Sequence, residues 1–140
     1  MPSLAHDLHV LVRVMGRHAE SILGEAVPGL TYPRFLALVC IEDLGHPSQR
    51  ELAARTGSSE AATSRLVAGL DAAGLVSVDP GAGRVRRICL TDNGQSTLAA
   101  AAAALGTSFD TLVESLGLDP AHLQHTIRTI TEALQRSPQL

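Results

Sequence analysis

The chain has 140 residues, enough for one folding unit, and 45% of them are hydrophobic, so a core can be buried without disulfides. No apolar run is expected to reach the roughly 18 to 20 residues that span a bilayer, and the Met1–Asp7 start lacks the basic-then-apolar order of a secretion signal, which together predict a cytoplasmic protein with no membrane partner. The net charge of −3 argues against nucleic acid only until its distribution is read: Arg50, Arg55, Arg65, Arg84, Arg86 and Arg87 against Glu51, Glu60, Asp71 and Asp79 leave the middle of the chain at +2, and the remainder at −5.

Leu4, Leu8, Leu11, Val12, Met15, Ala19 and Ile22 recur at the helical period and predict a first helix over 4–23, ending near Gly24. Thr31 can cap a second, with Pro33 in the first turn where its missing N–H costs nothing; Phe35, Leu36, Leu38 and Val39 are its expected core contacts and Gly45 its end. Cys40 lies in this apolar stretch and Cys89 in a later one, the usual setting of a small packed hydrophobe rather than a redox thiol. Ser48-Gln49-Arg50-Glu51 is a capping box that starts a short third helix through Arg55, closed at Gly57. Ser58 or Ser59 can cap the next helix, which carries Ala61, Ala62, Leu66, Val67 and Leu70 and stops at Gly74. Two capped helices around one glycine turn form a helix-turn-helix.

Leu75–Val78 and Arg84–Leu90 read as strands joined by the turn Asp79–Gly83, a hairpin that makes the wing. Thr91 caps a long helical stretch, rich in alanine at 99–104 and apolar later at Leu105, Phe109, Leu112, Val113 and Leu116. Asp119-Pro120 opens a last helix whose Leu123, Ile127, Ile130 and Leu134 form a coiled-coil-like seam. The predicted fold class is mainly α with a small β-hairpin wing: a winged helix-turn-helix flanked by N- and C-terminal helices.

The run from Arg50-Glu51-Leu52-Ala53-Ala54-Arg55-Thr56-Gly57 to Arg65-Leu66-Val67-Ala68-Gly69-Leu70-Asp71-Ala72-Ala73-Gly74-Leu75-Val76, with the closing Leu90-Thr91-Asp92-Asn93-Gly94, resembles the multiple-antibiotic-resistance regulator (MarR) family. The resemblance covers nearly the whole chain. It implies a single domain over 1–140, with residues 31–91 as the DNA-binding winged helix-turn-helix and 1–30 and 92–140 as dimerisation helices. It also implies a homodimeric transcriptional regulator, a repressor in the first instance, acting on a pseudo-palindromic operator and released by a small-molecule effector. By the family's pattern Ser59, Ala61, Ala62, Ser64 and Arg65 face bases from the recognition helix, and Arg84 enters the minor groove from the wing. Many members place an aspartate two positions before that arginine; here it is Ala82, so Arg86 can share the role. Small, often phenolic anions bind beside the dimerisation helices in this family, at positions that correspond to Arg13, Arg17, His18 and Tyr32.

The residue chemistry agrees with these expectations. A helix start at Ser58-Ser59 presents unpaired N–H groups to a phosphate. Arg65 can fork onto guanine or a phosphate, its bland alternative being a surface ion pair, and Glu60 is expected to face away from the phosphates. Arg50 and Arg55 read either as phosphate contacts or as solubility charges, and a solvated basic hairpin is the alternative for Arg84, Arg86 and Arg87. His6/His9 and His122/His125 have helical spacing, yet no acidic or cysteine ligand accompanies them in sequence, so no metal and no cofactor is expected. Peroxide-sensing relatives carry a cysteine in the first helix, where this chain has none. Enzyme motifs are missing from the sequence, which leaves a winged-helix protein-interaction module that has lost DNA binding as the alternative to a regulator.

Overall fold

The computed structural model describes residues 2–80 and 85–137, in the order α1 (Leu4–Ala26), α2 (Tyr32–Leu44), α3 (Gln49–Thr56), α4 (Glu60–Ala72), β1 (Val76–Pro80), β2 (Arg86–Leu90), α5 (Asp92–Ser115) and α6 (Pro120–Arg136). The chain forms two compact units, Met1–Leu105 and Gly106–Leu140, and α5 contributes to both. The fold is mainly α with one small antiparallel hairpin, as the sequence predicts.

In the first unit the caps fall where local chemistry puts them. Ser3 Oγ accepts from the His6 N–H at 3.2 Å, and Thr31 Oγ1 from the Arg34 N–H at 3.4 Å. The expected stop at Gly24 is not used: α1 continues to Ala26 and ends at Val27, the residue before Pro28. An exposed glycine inside a helix costs only about 1 kcal/mol, whereas proline disfavours the helical conformation of the residue before it. Leu36 also departs from expectation. It is 40% exposed because Phe35, Ala37, Leu38 and Ile41 define the buried face of α2 and Leu36 points the opposite way around the helix. Leu23, Leu38, Ile41, Leu52, Leu70, Val76 and Ile88 are fully buried and form the heart of this unit.

The hairpin pairs Val76 with Leu90 through Pro80 with Arg86. Asp79 and Pro80, expected in the turn, belong to β1; a two-stranded ribbon has only edge strands, so a proline without an N–H is tolerated there. The other turn residues and the expected strand start at Arg84 lie outside the described residues. Leu75 falls just before β1, and its carbonyl oxygen accepts the Thr91 N–H at 3.1 Å. Thr91 Oγ1 donates to the Gly74 carbonyl at 2.6 Å and accepts the Gly94 N–H at 3.0 Å, so one threonine both caps α5 and ties it to the end of α4. A Cβ on Gly94 would fall onto the Leu75 carbonyl oxygen. Only glycine allows this approach.

The expectation that no stretch approaches a membrane span needs correction at α5, whose 24 residues are long and apolar enough by length and composition alone. Six alanines and a charge-free stretch between Asp92 and Asp110 produce that result. Leu98, Ala101 and Leu105 pack into the core of the first unit. In the second unit, Gly117 takes a φ of 75° after α5, letting the Leu118 N–H donate back to the Val113 carbonyl at 3.1 Å. Asp119 Oδ1 accepts the Ala121 N–H at 3.1 Å and caps α6. Among the described residues α6 buries none of its side chains, and Ile127, Ile130 and Leu134 are exposed.

Candidate nucleic-acid interface

The helix-turn-helix is held by short-range chemistry. Glu51 and Ser48 complete the capping box in both directions: the Ser48 N–H donates to Glu51 Oε2 at 2.7 Å and the Glu51 N–H donates to Ser48 Oγ at 3.1 Å. Gly57 adopts the left-handed conformation that closes α3, and the Ser58 N–H donates to the Ala53 carbonyl at 3.1 Å. Ser59, not Ser58, therefore caps α4, its Oγ accepting from the Ala62 N–H at 3.1 Å. The Gln49 side chain donates to the Glu60 carbonyl at 3.4 Å, linking the starts of the two helices.

Helical periodicity then sorts the side chains of α4. Thr63, Val67 and Leu70 point into the core, while Ser58, Ser59, Glu60, Ala61, Ser64 and Arg65 are exposed and Ala62 is half-buried. The Thr63 hydroxyl is buried without a hydrogen-bond partner among the described residues. The sequence reading left Thr63 out, although its position four residues before Val67 marks the inward stripe. Neither ion pair among the described residues, Glu51–Arg87 or Glu132–Arg136, engages Arg65. Arg50 and Arg55 are exposed on α3.

Arg86 is exposed at the end of the hairpin opposite Pro80. Arg87 has a different fate: its Nη1 donates to Glu51 Oε2 at 3.0 Å, while the Ile88 N–H donates to the Pro47 carbonyl at 2.9 Å. The second strand is thus fastened to the start of α3 at two adjacent residues. Backbone hydrogen bonding from Ser48, opposed by partial desolvation and aided by the Ser48 hydroxyl and the Arg87 charge, holds the Glu51 carboxyl below its ordinary range. No sequence signal linked Arg87 to Glu51, because the contact joins residues 36 apart. Arg84 and Ala82 lie outside the described residues.

The MarR family model matches residues 29–85, the segment that contains α2, the helix-turn-helix and β1. Over those residues the chain is similar to the MarR family. No curated protein matches the sequence. Among solved structures, the chain is similar to apo MarR from E. coli, with a TM-score of 0.77 at 18% identity over 96% of this chain and 98% of that one. It is similar to the Staphylococcus aureus MepR–DNA complex, with a TM-score of 0.74 at 17% identity over 97% and 98%. A Mycobacterium tuberculosis MarR family protein in complex with salicylic acid gives a TM-score of 0.73 at 21% identity over 95% and 97%.

Within this MarR fold, the positions expected to meet an effector are dispersed over α1 and the start of α2. The Tyr32 ring lies 3.7 Å from where a Gly16 Cβ would stand and stacks on Phe35 with centroids 6.3 Å apart. Its N–H donates to Glu20 Oε1 at 3.0 Å. Arg17 and His18 are exposed, and Arg13 lines a shallow groove with Ala5, His6, His9 and Val10 that includes none of the other three. Among the described residues, no three His, Cys, Asp or Glu side chains gather as metal ligands. Both thiols are pushed up: Cys40 chiefly by burial, which Arg55 partly offsets, and Cys89 by burial and then by the Asp79 carboxylate, 3.8 Å from its sulfur. Neither cysteine has the electropositive setting of a reactive thiolate.

Proposed function

We propose that this chain is a cytoplasmic transcriptional regulator of the MarR family, a repressor rather than an enzyme, that binds a pseudo-palindromic operator as a homodimer. In this reading residues 31–91 read the DNA, and 1–30 with 92–140 hold the dimer together. The observation that carries it is the outer face of α4: a serine-capped helix start followed by Ala61, Ala62, Ser64 and the uncommitted Arg65, small side chains that let backbone and guanidinium come close to base edges. Ser58 and Ser59 meet a phosphate, Arg50 and Arg55 are backbone contacts, and Arg84 and Arg86 serve the minor groove. The same fold occurs in a DNA-bound MepR, which supports the assignment, and the salicylic acid complex of another relative supports an anionic effector near Arg13, Arg17, His18 and Tyr32.

Selection of bound sequences from random duplexes supplies the operator. Arg65→Ala should then weaken operator binding by about 1 to 3 kcal/mol and relax preference at one base pair per half-site. Equal losses on operator and random duplex would make Arg65 a phosphate contact. Failure of the wild type to bind duplex at any salt concentration would leave the protein-interaction module.

A further inference from the structure

Arg34, in the first turn of α2, reaches across to α4 and lays its guanidinium over Gly69. A Cβ on Gly69 would stand 2.8 Å from Arg34 Nη2, 3.6 Å from Cζ and 3.8 Å from Nε. The cation therefore covers helix backbone where any other residue would place a side chain. Gly69 follows Arg65 by four residues and Ala62 by seven, on the same stripe of α4. A second helix thus delivers a second cation to the recognition surface, about one turn beyond Arg65. Of the two acids on α4, Glu60 is at its start and Asp71 is well around the helix from Gly69.

The Arg34 side chain is half-buried, and among the described residues it has no hydrogen-bond or ion-pair partner. A planar group with five donors, pressed against a helix and left without an acceptor, suits the oxygens of a phosphodiester. We propose that Arg34, seated on Gly69, contacts a backbone phosphate of bound duplex and fixes how far α4 enters the groove. The inference rests on the DNA-binding reading above. It assigns Arg34 to affinity and positioning and leaves base choice to the other residues of α4.

The test is a titration of the full-length protein, by fluorescence anisotropy, against operator and random duplex at several salt concentrations. Arg34→Ala should lower affinity about tenfold on both duplexes and reduce the magnitude of the slope of log K against log salt by about 0.9 per protomer, the value for one lost phosphate contact. Gly69→Ala supplies a second readout. Its methyl meets only the far end of a flexible side chain, and alanine is the better helix former, so the melting temperature should hold or rise while affinity for both duplexes falls severalfold. Unchanged affinity and slope in Arg34→Ala, with the wild type binding normally, would overturn the proposal. So would a lower melting temperature with an unchanged slope, the signature of a merely structural contact. A wild type that binds no duplex defeats the regulator reading as well, and is recognised before either variant is made.

Discussion

Glu51 Oε2 accepts two hydrogen bonds, from the Ser48 N–H at 2.7 Å and from Arg87 Nη1 at 3.0 Å, so a single carboxylate caps α3 and holds β2. Because both donors favour the ionised form, the carboxyl is held below its ordinary value of about 4.3. A group with a depressed folded pKa contributes stability that is present above the unfolded pKa and is lost as pH falls through the folded one. Glu51→Gln keeps the shape of the capping box but removes the charge. The wild type should therefore melt above the variant at neutral pH, with the difference closing as pH falls below about 4.3. Circular dichroism melts between roughly pH 2.5 and 7 read this directly, and a difference that stays constant down to the acid end would rule out the carboxylate as its source.

Gly94 shows the same economy at the level of elements, where the start of α5 meets the turn after α4. A methyl group there would collide with the Leu75 carbonyl, backbone against backbone, whereas a Cβ on Gly106 in the same helix meets nothing within 4 Å. Gly94→Ala should destabilise the protein by about 2 kcal/mol or more in urea unfolding, and Gly106→Ala should stabilise it by about 0.5 to 1 kcal/mol. Matching responses of the two variants would show that the approach at Leu75 is unimportant. The contrast explains what could be read from the sequence. Caps at Thr31 and Ser48 and stops at Gly45, Gly57 and Gly74 join residues within one turn, so spacing alone locates them, while for α4 it narrows the cap to Ser58 or Ser59. The outward placement of Ser64 and Arg65 follows from the helical period. Gly94 could be placed in a motif but not explained, because its reason lies in Leu75, and the Glu51–Arg87 and Arg34–Gly69 contacts are likewise non-local. Leu36 misled for the opposite reason: apolar identity is a weaker guide to burial than position on the helix.

Each of the two units, taken by itself, presents apolar surface. Leu4, Leu8, Leu11 and Val12 are exposed in the first unit; in the second, Ile127, Ile130 and Leu134 are 48%, 39% and 57% exposed along α6, with Leu123 half-buried. Most helical stability in proteins comes from packing an apolar face, and a 17-residue helix with no buried side chain needs a partner surface. In the homodimer proposed above a second copy would provide one through a two-fold interface, and two-fold symmetry would also match half-sites about one DNA turn apart. Replacing Ile127 and Ile130 together by glutamate puts two charges on the centre of the seam. Sedimentation velocity should then show a dimer for the wild type and a monomer for the variant. Operator affinity should fall by about 10² to 10⁴, the gain lost when two linked half-site contacts become independent events. Far-ultraviolet circular dichroism separates this from unfolding, because the first unit retains its own core and most of the helical signal should persist. A double variant that sediments as a dimer, with operator binding intact, would place the subunit interface elsewhere on the molecule.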